Sequence, residues 1–542
     1  MKKLTESNAG RSAAILIFIT FVLRCFIAAY TGLGIGESYY FRGALHLDLS
    51  YFDQPPLFFW LGGLGIKIFG LNNFGIRFPS VLLFAGTSWL LFLITKRLFN
   101  AKAGFWSVVI INLSAVFTVA IACWFQPDAP LMFFWLLATY FIIQLMVGPG
   151  TENSEATRYS RKTWLLWLAV GISMGLATLS KYHVLFLFAG VFLFVSTNKN
   201  QRHWLRHPGP YLAVLITIIM ALPIIWWNYN NGWVSFVFQG SRAGVKDGEH
   251  FQLHFDWFLR SILGQSLWLL PWIWFPTIRQ LFKSYQLRSQ LLAYSFSFWM
   301  AILPIVFFTV VTLWSNLQYH FHWQAPGYMM LFVPLGFAID KGLNSEATKR
   351  FNRRWLNFSV YFTIITIGVL TFHMVTGFWQ WYGPKWMVHH FHGDNTDPTI
   401  QGVDYNDIKT RFDKEGWTNN PNVFTGSPRW WLMGKVDWVL KGKKDIVVFD
   451  PDPRNLAFLV DPKKLVGKDA VIIGDQQQIF VDANAKPFFD SVEQLPDIPV
   501  IRSGRVEYKL QVYYCKNFHL PAEKRMDLPL YRQLIGLPPF GK

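Results

Sequence analysis

Four clusters of polar side chains interrupt an otherwise apolar chain, and each holds a group that could handle a proton or an anion. The first is GIGESYYFRGALHLDLSYFDQPPL, starting at Gly34. Glu37, Tyr39, Tyr40 and Arg42 stand close together there, and His46, Asp48, Asp53 and Gln54 precede the Pro55-Pro56 pair. A carboxylate beside phenols and a guanidinium suits a site that accepts a hydroxyl proton and holds an anion. The competing reading is an aromatic belt at a membrane interface. The second cluster is Asp128, which could do chemistry or cap the helix it opens. Glu37 and Asp128 are the two candidates for catalysis.

The third cluster is PIIWWNYNNGWVSFVFQGSR, residues 223–242. It presents Arg242 from an aromatic hairpin or helix to the lipid headgroup zone, where it could fork onto a lipid phosphate or simply snorkel. Lys181 is a second candidate cation for that phosphate. The fourth is SNLQYHFHWQAPGY, residues 315–328, with His320 and His322 two apart. Two histidines without a nearby carboxylate make a weak zinc signal, so no metal ligand set is assigned and a divalent metal cofactor stays open.

These groups need elements to hold them, and the apolar runs supply them. Eleven spans are read at 13–31, 76–95, 104–122, 128–147, 163–180, 183–198, 209–227, 257–278, 290–314, 325–341 and 355–377. The first has too long an apolar run for a signal peptide and no clear cleavage site, so it reads as an anchor. Segment 55–70 is short and glycine-rich and reads as an interfacial or re-entrant helix. With the N-terminus inside, the inner segments hold 20 Lys and Arg against five in the outer segments before residue 378, the positive-inside pattern. Counting 55–70 as a span would invert everything after it. On this topology Glu37, Asp48, Asp53, Asp128, Asp247, Glu249 and Asp256 face outward. The outer loop 32–75 and the tail 378–542 lie outside the cytoplasm, a multi-pass inner-membrane arrangement. Runs such as KDIVVFD at 444–450 and RVEYKLQVYY at 505–514 make the tail a small α/β domain. Residues 1–377 form the membrane domain.

Composition agrees. Hydrophobic residues are 52% of 542, aromatics 18%, and charged residues only 15%, against about 25% in soluble proteins. The net charge of +18 is concentrated in residues 1–377, where orientation in the membrane explains it better than nucleic acid does. The three cysteines form no framework. There is no Walker A, no Rossmann fingerprint and no H-E-x-x-H. Asp450-Pro451-Asp452 reads as a turn after a strand.

In order along the chain, Glu37-Ser38-Tyr39-Tyr40, Tyr51-Phe52-Asp53-Gln54-Pro55-Pro56-Leu57, Arg77-Phe78-Pro79, Pro127-Asp128-Ala129-Pro130-Leu131, Leu179-Ser180-Lys181-Tyr182 and His322-Trp323-Gln324-Ala325-Pro326-Gly327-Tyr328 resemble the GT-C membrane glycosyltransferases. The set is similar to the bacterial branch of glycosyltransferase family 39, the dolichyl-phosphate-mannose–protein mannosyltransferases, and to the aminoarabinose transferase of lipid A.

The resemblance implies an all-α polytopic GT-C domain of about eleven spans with an acidic first outer loop. It implies transfer of a sugar, with inversion, from a polyprenyl-phosphate donor to a hydroxyl of a glycolipid, glycan or protein. The family places Asp-Glu before the aromatic pair; here the Asp position is Gly36, which leaves Glu37 and Asp128 as substitutes. Some relatives carry a basic residue just before the proline pair; here it is Gln54, which shifts phosphate binding toward Arg242 and Lys181. Tyr39, Tyr40, Arg42, Asp53, Gln54 and His322 complete the expected substrate and lipid-phosphate site. The rival readings are a lipid-linked-sugar transporter or flippase, which would favour ionisable groups at mid-span, and a non-catalytic membrane assembly factor.

Overall fold

In the computed structural model, residues 4–146, 159–244, 251–315, 322–383, 397–450, 453–475 and 485–519 are described. Lys246, Asp247, Glu249, Tyr319, His320 and Asp452 lie outside them.

Helix α1 (Ala9–Tyr30) is followed by two helices that do not span, α2 (Ile35–Leu45) and α3 (Leu57–Phe69). Helix α4 (Asn73–Leu98) starts where the Asn72 side chain caps Gly75 N at 2.8 Å, and α5 (Ala101–Leu113) repeats the device with Asn100 on Ala103 N at 2.7 Å. Then come α6 (Asp128–Met146), α7 (Arg161–Ser180), α8 (Leu185–Thr197), α9 (Pro208–Asn230) and α10 (Val234–Ala243). Helices α11 (Phe255–Leu269), α12 (Pro271–Leu287), α13 (Leu292–Val310), α14 (Ala325–Asn344) and α15 (Glu346–Thr376) complete the bundle.

Seven helices among the described residues are long and apolar enough to cross a membrane: α1, α4, α6, α7, α9, the Leu292–Leu313 helix that contains α13, and α15. The chain is a multi-pass membrane protein. Four of the eleven expected spans take other forms. Segment 104–122 is α5 followed by a π-helical turn, Val116–Ile121. Segment 183–198 is the short helix Tyr182–Thr197. Segment 325–341 is α14, whose polar end carries Asp340 and Lys341. The expected single span 257–278 is broken: Pro271 offers no N–H and disfavours helical geometry in the residue before it, and Leu270 takes φ 74° between α11 and α12.

The mid-span Arg24 is buried, with no ion pair among the described residues. It donates to Asn112 Oδ1 at 2.9 Å and to the Thr118 hydroxyl, and its guanidinium lies 4.6 Å from the Phe84 ring centroid. The π-helical turn delivers Thr118, so this charge is satisfied by dipoles within the bundle.

The tail is an α/β unit. Its five strands, β1 (Val423–Ser427), β2 (Ile446–Val448), β3 (Asp469–Asp475), β4 (Phe489–Arg502) and β5 (Arg505–Phe518), run in the order β2-β1-β3-β5-β4. β1 is parallel to β2 and β3, and β5 is antiparallel to β3 and β4. Helices α16 (Phe378–Tyr382) and α17 (Asn406–Lys414) precede the sheet, and α18 (Trp430–Val439) connects β1 to β2.

Helix α18 lies directly on α2. A Cβ at Gly434 would come within 2.6 Å of the Tyr39 backbone, so only glycine allows this crossing. Beside it, Lys435 is fully buried and donates to the carbonyls of Leu33, Gln401 and Val403. The tail is therefore seated on the segment between α1 and α4.

Candidate active site

Glu37 opens α2 and is buried. Its Oε1 accepts from Arg77 Nε at 2.7 Å and from Phe125 N at 2.8 Å; its Oε2 accepts from Arg77 Nη2 at 2.5 Å and from Gly34 N at 2.9 Å. Arg77 spends its other donors on the carbonyls of Ala28, Thr31 and Gly32 and on the Thr31 hydroxyl. A carboxylate that accepts from four donors, two of them one bidentate guanidinium, has no lone pair left for a substrate proton. The expectation of Glu37 as a catalytic base is corrected: it ties α1, α2, α4 and the Phe125 segment together.

Arg42 is engaged by the tail. Its Nη1 donates to Gly442 O at 2.6 Å, its Nη2 to Lys444 O at 2.5 Å, and its Nε faces Asp437 at 3.4 Å. It fastens the tail to α2 with two of its five N–H donors.

Asp53 is different. The loop 46–56 folds over α2 through Tyr51, whose hydroxyl donates to Gly43 O at 2.9 Å. Helix α10 docks on the same loop: Ser235 Oγ donates to Tyr51 O at 2.9 Å and Gln239 Nε2 to Asp53 O at 2.6 Å. Asp53 is left 2% exposed, and its Oδ1 has no hydrogen-bond partner among the described residues. Burial pushes its carboxyl up to about 6, against the opposing pull of the Arg454 charge and a hydrogen bond from Tyr39. The Tyr39 hydroxyl also accepts from Asn455 N at 2.9 Å, and Gln54 Nε2 approaches the Tyr40 hydroxyl at 3.3 Å. Tyr39 is buried and Tyr40 half-buried, and desolvation holds both phenols above their ordinary value.

Asp128 stands at the start of α6, and both its oxygens meet Lys181 Nζ, at 2.9 and 3.0 Å. The pair is buried. Arg242, near the end of α10, places its guanidinium 4.9 Å from the Trp323 ring centroid. Next to it His322 is driven down to about 4 by burial, against the pull of the Asp128 charge and with smaller pushes from Lys181 and Arg242. It is neutral at ordinary pH.

The structure thus brings Tyr39, Tyr40, Asp53 and Gln54 together on the loop side, and Asp128, Lys181, Arg242 and His322 on the bundle side. Arg242 joins the halves, because its charge acts on Asp53 and Tyr40 as well as on Lys181 and His322. With Arg454, three fixed cations face two carboxylates, which favours an anionic ligand. Among the described residues no three His, Cys, Asp or Glu gather as a metal set. Arg454 and Asn455 are absent from the sequence reading. Their only signal is a basic residue just after the 450–452 turn.

Known proteins resemble the chain in parts and in fold. Residues 53–227 match the family model of dolichyl-phosphate-mannose-protein mannosyltransferase. An undecaprenyl phosphate-alpha-4-amino-4-deoxy-L-arabinose arabinosyl transferase 2 of Proteus mirabilis is 23% identical over 60% of this chain and 55% of its own. A lipid A galacturonosyltransferase, RgtD, of Rhizobium johnstonii is 27% identical over 36% of this chain and 39% of its own. The chain spans well under two thirds of the length of these relatives. The structure of ArnT from Cupriavidus metallidurans, solved in the apo state, superposes with a TM-score of 0.60 at 15% identity, covering 92% of this chain and 97% of that one. The same protein bound to undecaprenyl phosphate superposes equally well. The chain shares the GT-C membrane fold of that protein, and its residues 53–227 are similar to the dolichyl-phosphate-mannose-protein mannosyltransferase family.

Proposed function

We propose that the chain is an integral membrane glycosyltransferase. It moves a sugar from a polyprenyl-phosphate donor to a hydroxyl on a glycolipid, glycan or protein, at the outer side of the inner membrane and with inversion. The observation that carries the reading is Asp53: a buried carboxylate with an unpartnered oxygen, in electrostatic reach of Arg242. The names of the arabinosyl and galacturonosyl transferases support the reaction class, and the undecaprenyl phosphate in the neighbouring structure supports the donor class.

The chemistry follows from the groups at hand. Arg242 holds the donor phosphate, and Lys181 shares it by turning from Asp128. Asp53 accepts the acceptor's hydroxyl proton as that oxygen attacks the anomeric carbon. The bond from that carbon to the phosphate oxygen breaks, and its electron pair leaves on the lipid phosphate, where the two cations stabilise it. Neutral His322 donates a hydrogen bond without adding charge. Tyr39 orients Asp53. A donor carried in the lipid fits a site at the ends of the membrane helices α6 and α9, and the positive-inside pattern read from the sequence supports an extracytoplasmic side for those ends and the tail.

The test is release of polyprenyl phosphate from a polyprenyl-phosphate sugar by the purified protein in lipid nanodiscs. Release that Asp53→Asn abolishes supports the reading. Binding or translocation of the donor without release supports a transporter and overturns it.

A further inference from the structure

We infer that the C-terminal domain completes the active centre, with Arg454 as the positioning cation for Asp53; this rests on the proposed role of Asp53. The geometry comes from one short segment, Arg454–Phe458, that docks on the outer loop. Asn455 Oδ1 accepts from Phe52 N at 3.1 Å, next to Asp53 in the chain, and Asn455 N donates to the Tyr39 hydroxyl at 2.9 Å. Phe458 stacks on Phe52 with ring centroids 5.7 Å apart. Arg454 lies 4.0 Å above the Trp430 ring, and Trp430 meets Tyr39 edge-on at 4.9 Å. The guanidinium is thus placed on an aromatic platform shared with the phenol that bonds Asp53.

Two further observations agree. Arg454 takes φ 51°, a left-handed backbone that a side chain of its size rarely adopts; such a conformation persists only where its surroundings fix it. Among the opposing influences on the Asp53 carboxyl, Arg454 is the largest, ahead of Tyr39 and Arg242. The groups that face Asp53 are Tyr39 and Tyr40 from α2, Arg242 from α10, Tyr182 after α7, and Arg454 from the tail. Only Arg454 comes from the C-terminal domain. Without it a buried carboxylate would keep one fixed cation, and its ionised form would lose its main support.

The experiment reads Asp53 directly. Infrared difference spectra between the unaltered protein and Asp53→Asn isolate the Asp53 carboxyl band, which is titrated in the full-length protein without substrate. The midpoint lies at about 6. In Arg454→Gln it rises by about 1–3 units, and Arg454→Lys holds it near the starting value. Trp430→Leu removes the platform and moves the midpoint the same way by less. The acid limb of kcat/KM moves with the carboxyl, while the KM for the donor stays within about twofold. A midpoint that stays put in both Arg454→Gln and Trp430→Leu overturns the inference. A midpoint that moves in a protein with no turnover on polyprenyl-phosphate sugars leaves the inference standing and removes the proposed function.

Discussion

Arg77 grips Glu37 by both carboxylate oxygens, at 2.7 and 2.5 Å, across forty residues of chain and within the protein interior. Removing either partner leaves a buried charge alone, which costs about 3–5 kcal/mol. Glu37→Gln and Arg77→Met are each expected to lower thermal stability in detergent strongly. The double variant is expected to lose less than the two single losses combined. A Glu37→Gln protein that unfolds normally but has lost turnover would instead return Glu37 to the chemistry.

Asp53→Asn is expected to behave in the opposite way. Turnover falls by about 10²–10⁴-fold, the usual contribution of a general base. Stability is unchanged or rises by about 1 kcal/mol, because a buried carboxylate with an unpartnered oxygen is removed. Thermal unfolding and donor turnover on the same preparation check both halves.

The Asp53 carboxyl, raised to about 6 by burial, sets a pH window. As the base it must be ionised, so kcat/KM is expected to fall as pH drops through about 6, with a limb that is missing in Asp53→Asn. The stability term has the other sign. Between about 4 and 6 the folded protein holds a proton that the unfolded chain has released, so this group's contribution shrinks as pH rises through that window. A pH–rate profile and unfolding at pH 4.5 and 7 measure the two.

Asp128 and Lys181 neutralise each other. Lys181→Met is expected to raise the donor KM by about tenfold or more and to destabilise the protein, since Asp128 is then buried alone. Asp128→Asn frees the ammonium and is expected to leave the donor KM equal or lower. Donor saturation curves for the two variants distinguish this from a base role for Asp128, which would appear as a loss of kcat.

Gly36 stands where the resembling family carries an aspartate, and a Cβ there meets nothing within 4 Å. Gly36→Asp is therefore expected to fold as well as the natural chain, at a small gain from an acid in the first turn of α2. If that aspartate reaches the acceptor, kcat rises and the acid limb of the pH profile broadens. Thermal unfolding and a pH–rate profile give the answer.

The sequence carried the long apolar helices, the short Leu57–Phe69 helix and the α/β tail, because period and composition are local. It also drew attention to Asp53, Asp128, Lys181 and Arg242. Which carboxylate is occupied was not readable, since the donors on Glu37 come from Gly34, Arg77 and Phe125, and only Gly34 is nearby in the chain. Arg42 looked like an anion ligand because its partners, Gly442 and Lys444, lie some four hundred positions later. Arg454 was hidden for the same reason. The break at Leu270 was hidden by hydropathy, which reads straight through Pro271.

Gly434 has a reach beyond its own size. An alanine there would wedge α18 away from the Tyr39 backbone, and every tether on that seam would stretch together: Arg42 on its carbonyls, Asn455 on the phenol, Arg454 over its indole. A lesion one methyl wide, in the α/β tail, would be felt as a catalytic defect at the lipid boundary.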